Sequence, residues 1–99
     1  YIGLVMQPVQ IPESLQKKAG VDVAAGLLVM HVESGGPADV GGVLLGDILL
    51  DMDGQAFSDL DDVYEALARK GAGQEVNTSL IRGGQRLQLR IRIGEHPSR

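Results

Sequence analysis

The sequence predicts a small domain of the α+β class that is mainly β. The expected architecture is a partly open barrel or sandwich of four or five short strands, with helices over its ends. Short apolar runs bounded by glycine, proline and aspartate recur along the 99 residues, as in proteins built of short strands. One longer segment has the 3.6-residue apolar spacing of an amphipathic helix. Strands and helices do not alternate regularly, which argues against a doubly wound parallel sheet.

Five segments are predicted to form strands. The first is apolar around Gly3 and is interpreted as a loop that enters a strand. The turn pair Asp53-Gly54 closes the third strand, and Gly83-Gly84 joins the last two as a hairpin. The last strand alternates between apolar and polar residues, as expected when one face is buried. The segments are residues 1–6, 27–32 (expected to be buried), 47–52, 75–82 and 86–93.

Three helices are predicted, one long and two short. The long helix begins after a cap at Ser58 or Asp59 and runs to about Lys70. Acidic residues at its start and basic residues at its end match the preference of the helix dipole. The short helices are Glu13–Ala19, ended by Gly20, and the single turn Pro37–Val40, which begins on proline.

Composition and charge exclude several functions. The formal net charge is −4, whereas general nucleic-acid binding requires a basic surface. Residues 47–65 contain seven acids and no base, and residues 69–92 contain six bases and one acid. We expect these to be solvated faces that pair across the fold. No apolar run approaches the roughly 20 residues of a membrane span, and no signal peptide is recognisable. Because the chain starts at Tyr1 rather than Met, we expect a piece of a longer protein.

No catalytic site, metal site or cofactor is predicted. The chain has no cysteine, so it has neither a thiolate ligand nor a cysteine nucleophile. Ser34 would need His31 or His96 as its base, and neither has an evident orienting carboxylate. His31 is therefore interpreted as an exposed strand residue or a satisfied core histidine. Asp51 and Asp53 begin like a calcium loop but lack the later ligands. The glycine-rich residues 41–46 have no lysine and open no helix, so they are no phosphate loop.

One constellation remains, at the N-terminus. In Ile2-Gly3-Leu4, the glycine allows consecutive backbone N–H groups to converge as an anion nest. A strand with a free edge after this loop would accept an extended peptide as an added strand. A second apolar face of the long helix would form the other wall, while Val63 and Ala66 would face the core. The alternative is that Ile2 and Leu4 are plain core. That second face holds Leu60, Tyr64 and Leu67, and the same alternative buries Leu60 and Leu67 with the core.

Six short segments occur in order along the chain. They are Tyr-Ile-Gly-Leu at 1–4, Gly-Leu-Leu-Val at 26–29, Gly-Pro-Ala at 36–38, Gly-Asp-Ile-Leu at 46–49, Met-Asp-Gly at 52–54 and Asp-Val-Tyr-Glu-Ala at 62–66. With these segments the sequence resembles a PDZ domain, and more narrowly the PDZ domains of the HtrA/Deg family of trypsin-like serine proteases. The resemblance implies a five- to six-stranded, partly open antiparallel barrel or sandwich capped by one long and one or two short helices. Residues 1–94 would be the domain and residues 95–99 a tail or linker.

The resemblance implies a groove for the C-terminus of another polypeptide. The N–H groups of Ile2, Gly3 and Leu4 would receive the terminal carboxylate, and residues Leu4, Val5 and Met6 would pair with the peptide as a strand. In many PDZ domains a histidine starts the long helix and binds a serine or threonine. Leu60 stands at that place here, which predicts an apolar ligand residue and the pattern Φ-x-Φ-COOH, where Φ is apolar. The implied groove side chains are Ile2, Leu4, Met6, Leu60, Tyr64 and Leu67.

The resemblance also implies a parent protein. A serine protease domain would precede Tyr1, and this domain would recognise apolar-ended C-terminal or unfolded segments on its behalf. The chain alone is expected to be non-enzymatic and monomeric, within a trimer-based parent in the bacterial periplasm or cell envelope. The protease domain of the same chain would be its other partner. The alternatives are a non-proteolytic secretion or signalling adaptor, and an assembly domain whose groove is occupied by another part of the parent.

Overall fold

The computed structural model describes residues 1–57 and 59–95. Its strands form one antiparallel sheet in the order β1-β2-β3-β5-β6, and β4 pairs with β3. The predicted fold class is confirmed. No helix in the described part of the chain is long and apolar enough to cross a bilayer. The elements are β1 Leu4–Gln10, α1 Glu13–Ala19, β2 Ala25–Val32, α2 Pro37–Val40, β3 Ile48–Met52, β4 Gln55–Ala56, α3 Leu60–Lys70, β5 Glu75–Arg82 and β6 Gln85–Arg92.

The helices begin and end where local signals place them. α1 stops at Gly20, which adopts the left-handed conformation with φ of 72°. α3 starts after Asp59, whose side chain accepts a hydrogen bond from the N–H of Asp62 at 3.1 Å. The Asp62 side chain accepts in return from the N–H of Asp59 at 3.3 Å, which completes a capping box. The other predicted cap, Ser58, lies outside the described residues.

The first strand is longer than the sequence predicts. The predicted strand ended at Met6, yet β1 continues through Pro8 to Gln10. Within the described residues β1 lies at the end of the sheet and pairs only with β2. A proline is tolerated in an edge strand because one side of that strand needs no N–H donor for the ladder. β4, with only Gln55 and Ala56, was not predicted because two residues carry no periodicity.

A β-bulge reorients the end of β2. Val5 of β1 pairs with His31, but the next residue, Met6, pairs with Val29. Met30 is therefore the extra residue, and both Met30 and His31 lie exposed on the outer face. The expectation that residues 27–32 are uniformly buried is wrong at these two positions. The bulge turns Val32 back toward the core beside Leu4.

Two hydrophobic clusters lie on the two faces of the sheet. The smaller cluster consists of Ile11, Leu50 and Ile81, and α1 packs Leu15 and Ala19 against it. The larger cluster is covered by α3, which buries Val63 and Leu67. Its buried members are Ile2, Met6, Leu27, Val29, Ala38, Val43, Leu49, Met52, Phe57, Val63, Leu67, Val76, Leu80, Ile91 and Ile93.

The acidic and basic stretches pair across the fold as predicted, but the expectation of solvated faces is wrong at Asp47, which is buried. Lys70 of α3 contacts Asp53 at 3.0 Å. The buried Asp47 accepts from the Arg82 guanidinium at 2.7 Å and 2.9 Å. Hydrogen bonding to Asp47 raises the pKa of Arg82 above its ordinary value. Arg82 also donates to the carbonyl of Gly42 at 2.8 Å, so this pair fixes the glycine-rich loop that precedes β3.

Candidate functional site

A groove of about 780 Å³ lies between β1 and α3. One wall is the edge of β1 that is unpaired within the described residues, and the other is the exposed side of α3. One end is closed by the loop of residues 1–3, and Ile93 lines the groove as well. The lining is predominantly apolar, as expected for a site that binds side chains rather than ions.

All six predicted groove side chains line this one groove, but their burial differs widely. Ile2, Met6 and Leu67 have no more than 9% of their surface exposed and belong to the hydrophobic core. Leu4 and Leu60 are half-buried and pack against that core. Tyr64 is 62% exposed. The interpretation as groove residues and the alternative as core residues are therefore compatible, since the buried members form both the floor of the groove and the core beneath it.

Ten lining residues were not predicted for the site, and three of them show why the sequence did not indicate them. Val63 is 1% exposed and was placed on the core face of the helix, yet it also reaches the floor of the groove. His31 enters the lining because the bulge in β2 turns it to the outer face beside Val5. Glu33 follows β2 and is brought to the loop by tertiary structure. The alternation of side chains along a strand would not place His31 and Glu33 at the groove, because the bulge in β2 shifts the register by one residue.

The backbone of the N-terminal loop is held by its carbonyl groups. The carbonyl of Tyr1 accepts from the N–H of Gly94 at 2.9 Å, that of Ile2 from Ala38 at 2.9 Å, and that of Gly3 from Glu33 at 2.9 Å. All peptide bonds here are trans, and a trans peptide group points its C=O and N–H in opposite directions. The N–H groups that follow these carbonyls therefore point away from the domain body. They belong to Ile2, Gly3 and Leu4.

These N–H groups are available to a ligand. Within the described residues, the N–H groups of Ile2 and Gly3 make no hydrogen bond. Leu4 pairs with Val32 in a register where the Glu33 N–H bonds the Gly3 carbonyl, which leaves the Leu4 N–H on the outer edge of β1. Gly3 has φ of 78°, the left-handed conformation that allows successive N–H groups to face one anion. The loop thus presents outward N–H groups at one end of an apolar groove.

The groove offers no evident chemistry beyond binding. In the described residues, no group of three or more histidine, cysteine or acidic side chains could hold a metal ion. Ser34 is exposed in the turn between β2 and α2. His96, one of its two candidate bases, lies outside the described residues, and His31 is exposed on the outer face of β2. What the arrangement can do is bind an extended, apolar segment that carries a negative charge at its end.

The chain belongs to the PDZ domain family, because the family model for the PDZ domain matches residues 1–93. Within this family, its relatives are of the HtrA type. It is 32% identical over 97 residues to a probable periplasmic serine endoprotease DegP-like from Ectopseudomonas mendocina (strain ymp). The alignment covers 98% of this chain and 20% of that protein. The resemblance to HtrA/Deg PDZ domains is confirmed.

Solved structures agree with this assignment. The HtrA-type protease AlgW with a decapeptide matches 100% of this chain and 30% of its own, with 30% identity and a TM-score of 0.78. The HtrA3 PDZ domain bound to a phage-derived ligand (FGRWV) matches 93% of this chain and 82% of its own, with 26% identity and a TM-score of 0.70. The present chain spans about a fifth of the length of the DegP-like relatives. The PDZ match accounts for residues 1–93 of its 99 residues.

Proposed function

We propose that this domain binds the C-terminal segment of a polypeptide as an added strand beside β1, with the terminal carboxylate on the N–H groups of Ile2, Gly3 and Leu4. The observation that carries the proposal is the meeting of three features in one groove: outward N–H groups, an open strand edge and an apolar floor. An added strand uses the main chain for affinity and side-chain pockets for selectivity. Residues Leu4, Val5 and Met6 pair with the ligand backbone.

The side-chain pockets favour apolar residues at alternate ligand positions. Ile2, Leu4 and Leu67 line the pocket for the last residue, and Met6, Leu60 and Tyr64 line the pocket two residues earlier. The Leu60 side chain forms no hydrogen bonds, so a serine or threonine hydroxyl of the ligand would be desolvated there without gaining a hydrogen-bond partner. The expected ligand pattern is Φ-x-Φ-COOH. Four ordered residues and a carboxylate correspond to a Kd of about 1–100 μM, or about −5.5 to −8 kcal/mol.

The parent is proposed to be an HtrA-like serine protease of the periplasm or cell envelope. The support is the name of the relatives, which are probable periplasmic DegP-like endoproteases five times as long as this chain. In such a parent, the domain recognises apolar-ended or unfolded polypeptide segments. It then either presents these segments to a protease domain of the same chain or transmits a signal to that domain. The oligomeric parent is proposed to be trimer-based, with this domain monomeric on its own.

Peptide binding measured by fluorescence anisotropy tests the proposal. Peptides ending in two apolar residues separated by one variable residue are compared with copies whose third-last residue is serine, and with amidated copies of both. We expect saturable micromolar binding of the apolar free acids, at least tenfold weaker binding of the serine peptides, and loss of binding on amidation. Equal binding of free acid and amide would contradict the carboxylate site, and no binding at all would favour an occupied or purely structural groove.

A further inference from the structure

A carboxylate of the chain itself lies beside the proposed carboxylate-binding loop. The Glu33 N–H donates to the Gly3 carbonyl at 2.9 Å. The Glu33 Cβ is 3.3 Å from the point where a Cβ on Gly3 would lie. The Glu33 side chain is exposed, lines the groove and accepts a hydrogen bond from the Tyr1 hydroxyl. Glu33 therefore places a negative charge at the end of the groove that receives the ligand's terminus.

No lysine or arginine side chain lies in the groove beside this charge, within the described residues. Among the described lining residues, the ionisable side chains are Tyr1, His31, Glu33, Tyr64 and Glu95, with neither lysine nor arginine. The Tyr1 hydroxyl donates one hydrogen bond, whereas a carboxylate has about four acceptor positions on its two oxygens. Glu33 can therefore accept a further donor from a ligand.

The position of Glu33 determines which ligand residue it can meet. A ligand strand beside β1 alternates its side chains, so the last and third-last residues face the groove and the penultimate residue faces outward. The outward face of β1 at this level is Val5, and His31 lies directly across from it on β2. Glu33 follows two residues after His31, toward the loop. β1 lies between the ligand and β2, and each strand spacing is about 4.8 Å, so the ligand main chain is about 9.6 Å from that of Glu33. A lysine or arginine side chain and the Glu33 side chain together extend across this gap.

We propose that Glu33 selects ligands by the charge of their penultimate residue, favouring lysine or arginine and disfavouring aspartate or glutamate. The inference rests on the proposed peptide-binding function and specifies its ligand class as Φ-basic-Φ-COOH. A basic side chain at that position lies over Val5 with its apolar stem and pairs with Glu33 at its tip. An acidic side chain there would add a third negative charge to those of Glu33 and the terminal carboxylate.

The test compares three free-acid peptides that differ only in a penultimate lysine, glutamine or glutamate. Their affinities are measured for the wild-type chain, for Glu33→Gln and for Glu65→Gln. Glu33→Gln keeps an oxygen that accepts from Tyr1 but loses the charge. Glu65→Gln makes the same change in net charge on an exposed position of α3 that does not line the groove. Thermal unfolding of all three proteins confirms that each is folded.

For the wild type we expect the lysine peptide to bind about threefold to tenfold tighter than the glutamate peptide. This ratio corresponds to a solvent-exposed attraction in the first complex and a solvent-exposed repulsion between like charges in the second. The ratio should fall below about twofold in Glu33→Gln and stay at the wild-type value in Glu65→Gln. Unchanged selectivity in Glu33→Gln, with all peptides still binding, would overturn this inference and leave the proposed function intact. Failure of every peptide to bind the wild type would overturn both.

Discussion

Two glycine-containing loops of this domain orient backbone N–H groups for an acceptor: the chain supplies a carboxylate in one loop, and we propose that a ligand supplies it in the other. In the loop before β3, the N–H of Leu44 donates to Asp47 at 2.8 Å, and Arg82 completes the site. Asp47 is 2% exposed, so this site is closed by the chain itself. In the loop before β1, the N–H groups of Ile2 and Gly3 have no acceptor within the described residues and open onto the groove.

The comparison shows that glycine-rich sequence alone does not distinguish a structural loop from a binding loop. Both loops contain glycine with positive φ, at Gly42 and Gly46 in the first and at Gly3 in the second. What separates them is the surroundings, since an internal acid and arginine fill one and an apolar groove adjoins the other. Substitutions in the first loop should change the free energy of unfolding, and substitutions in the second should change ligand affinity.

The largest effect is expected from Asp47→Asn. The amide would turn an N–H donor toward the Arg82 guanidinium and remove the charge it needs. Because Arg82 remains partly exposed, we expect a loss of about 2–3 kcal/mol in the free energy of unfolding, below the range for a fully buried pair. Urea denaturation measures it, with Asp61→Asn on the exposed surface of α3 as the control. A loss under about 0.5 kcal/mol would show that the closed loop is not a stabilising site.

Gly3→Val should damage the open loop. A side chain at φ of 78° is strained by about 1–2 kcal/mol, and its Cβ would lie 3.3 Å from that of Glu33. We expect the affinity for an apolar-ended peptide to fall at least thirtyfold, or about 2 kcal/mol. Gly20→Val is the matched control, because Gly20 has φ of 72°, open space around it and a position at the end of α1. Equal loss of affinity in both variants would count against the loop as the ligand site.

Tyr64→Lys should reduce binding without unfolding the domain. Tyr64 is 62% exposed and contributes to the groove wall rather than to the core. We expect about a tenfold loss of peptide affinity, or about 1.4 kcal/mol, and a change in unfolding free energy within about 0.5 kcal/mol. Gln88→Lys on β6 adds the same charge outside the groove and should bind normally. Unimpaired binding by Tyr64→Lys would remove Tyr64 from the site. Leu67, with 9% exposure, offers no such clean test, because a charge there would also disrupt the core.

The smallest effect concerns Asp53, which lies outside both loops. The N–H of Asn77 at 2.8 Å, and then Lys70, hold the pKa of Asp53 below its ordinary value of 3.8. The stabilisation is therefore present above the unfolded pKa of about 3.9 and is lost as the pH falls through the lower folded value. Because the pair is more than one-third exposed, we expect under about 1 kcal/mol.

Urea denaturation of the wild type and Asp53→Asn at pH 6 and pH 3 measures this contribution. Asparagine tolerates the φ of 51° at this position, so the comparison isolates the charge. The difference in unfolding free energy between the two proteins should be smaller at pH 3 than at pH 6. An equal difference at both values would refute the electrostatic explanation.

Local signals predicted most of the elements. Gly20 ends α1, and Pro37 opens α2, so both helices lie where the sequence places them. The Gly83-Gly84 turn joins β5 and β6, although β6 begins at Gln85, one residue before the predicted start. These features depend on a few adjacent residues, which is why the sequence alone indicates them.

Features that depend on distant contacts were not predictable. Only the pairing with β1 makes Met30 the extra residue of a bulge, and that bulge turns His31 to the groove side. Glu33 lies 30 positions from Gly3 in sequence, and only the tertiary fold brings them together. The six predicted groove side chains were implied as a set by the resemblance to PDZ domains, but neither the resemblance nor the residue pattern indicated how deeply each is buried. The role of those residues in binding remains a prediction.

The central claim is that the N–H groups of Ile2, Gly3 and Leu4 bind the terminal carboxylate of a polypeptide. The most direct measurement is an NMR titration of the ¹⁵N-labelled chain that monitors the amide resonances of these three residues. The titrant is an apolar-ended peptide, added once as the free acid and once as the C-terminal amide. We expect large downfield proton shifts at these amides with the free-acid peptide, no such shifts with the amidated peptide, and little change at the Leu44 amide of the closed loop. Equal shifts with both peptides, or none at residues 2–4, would contradict it.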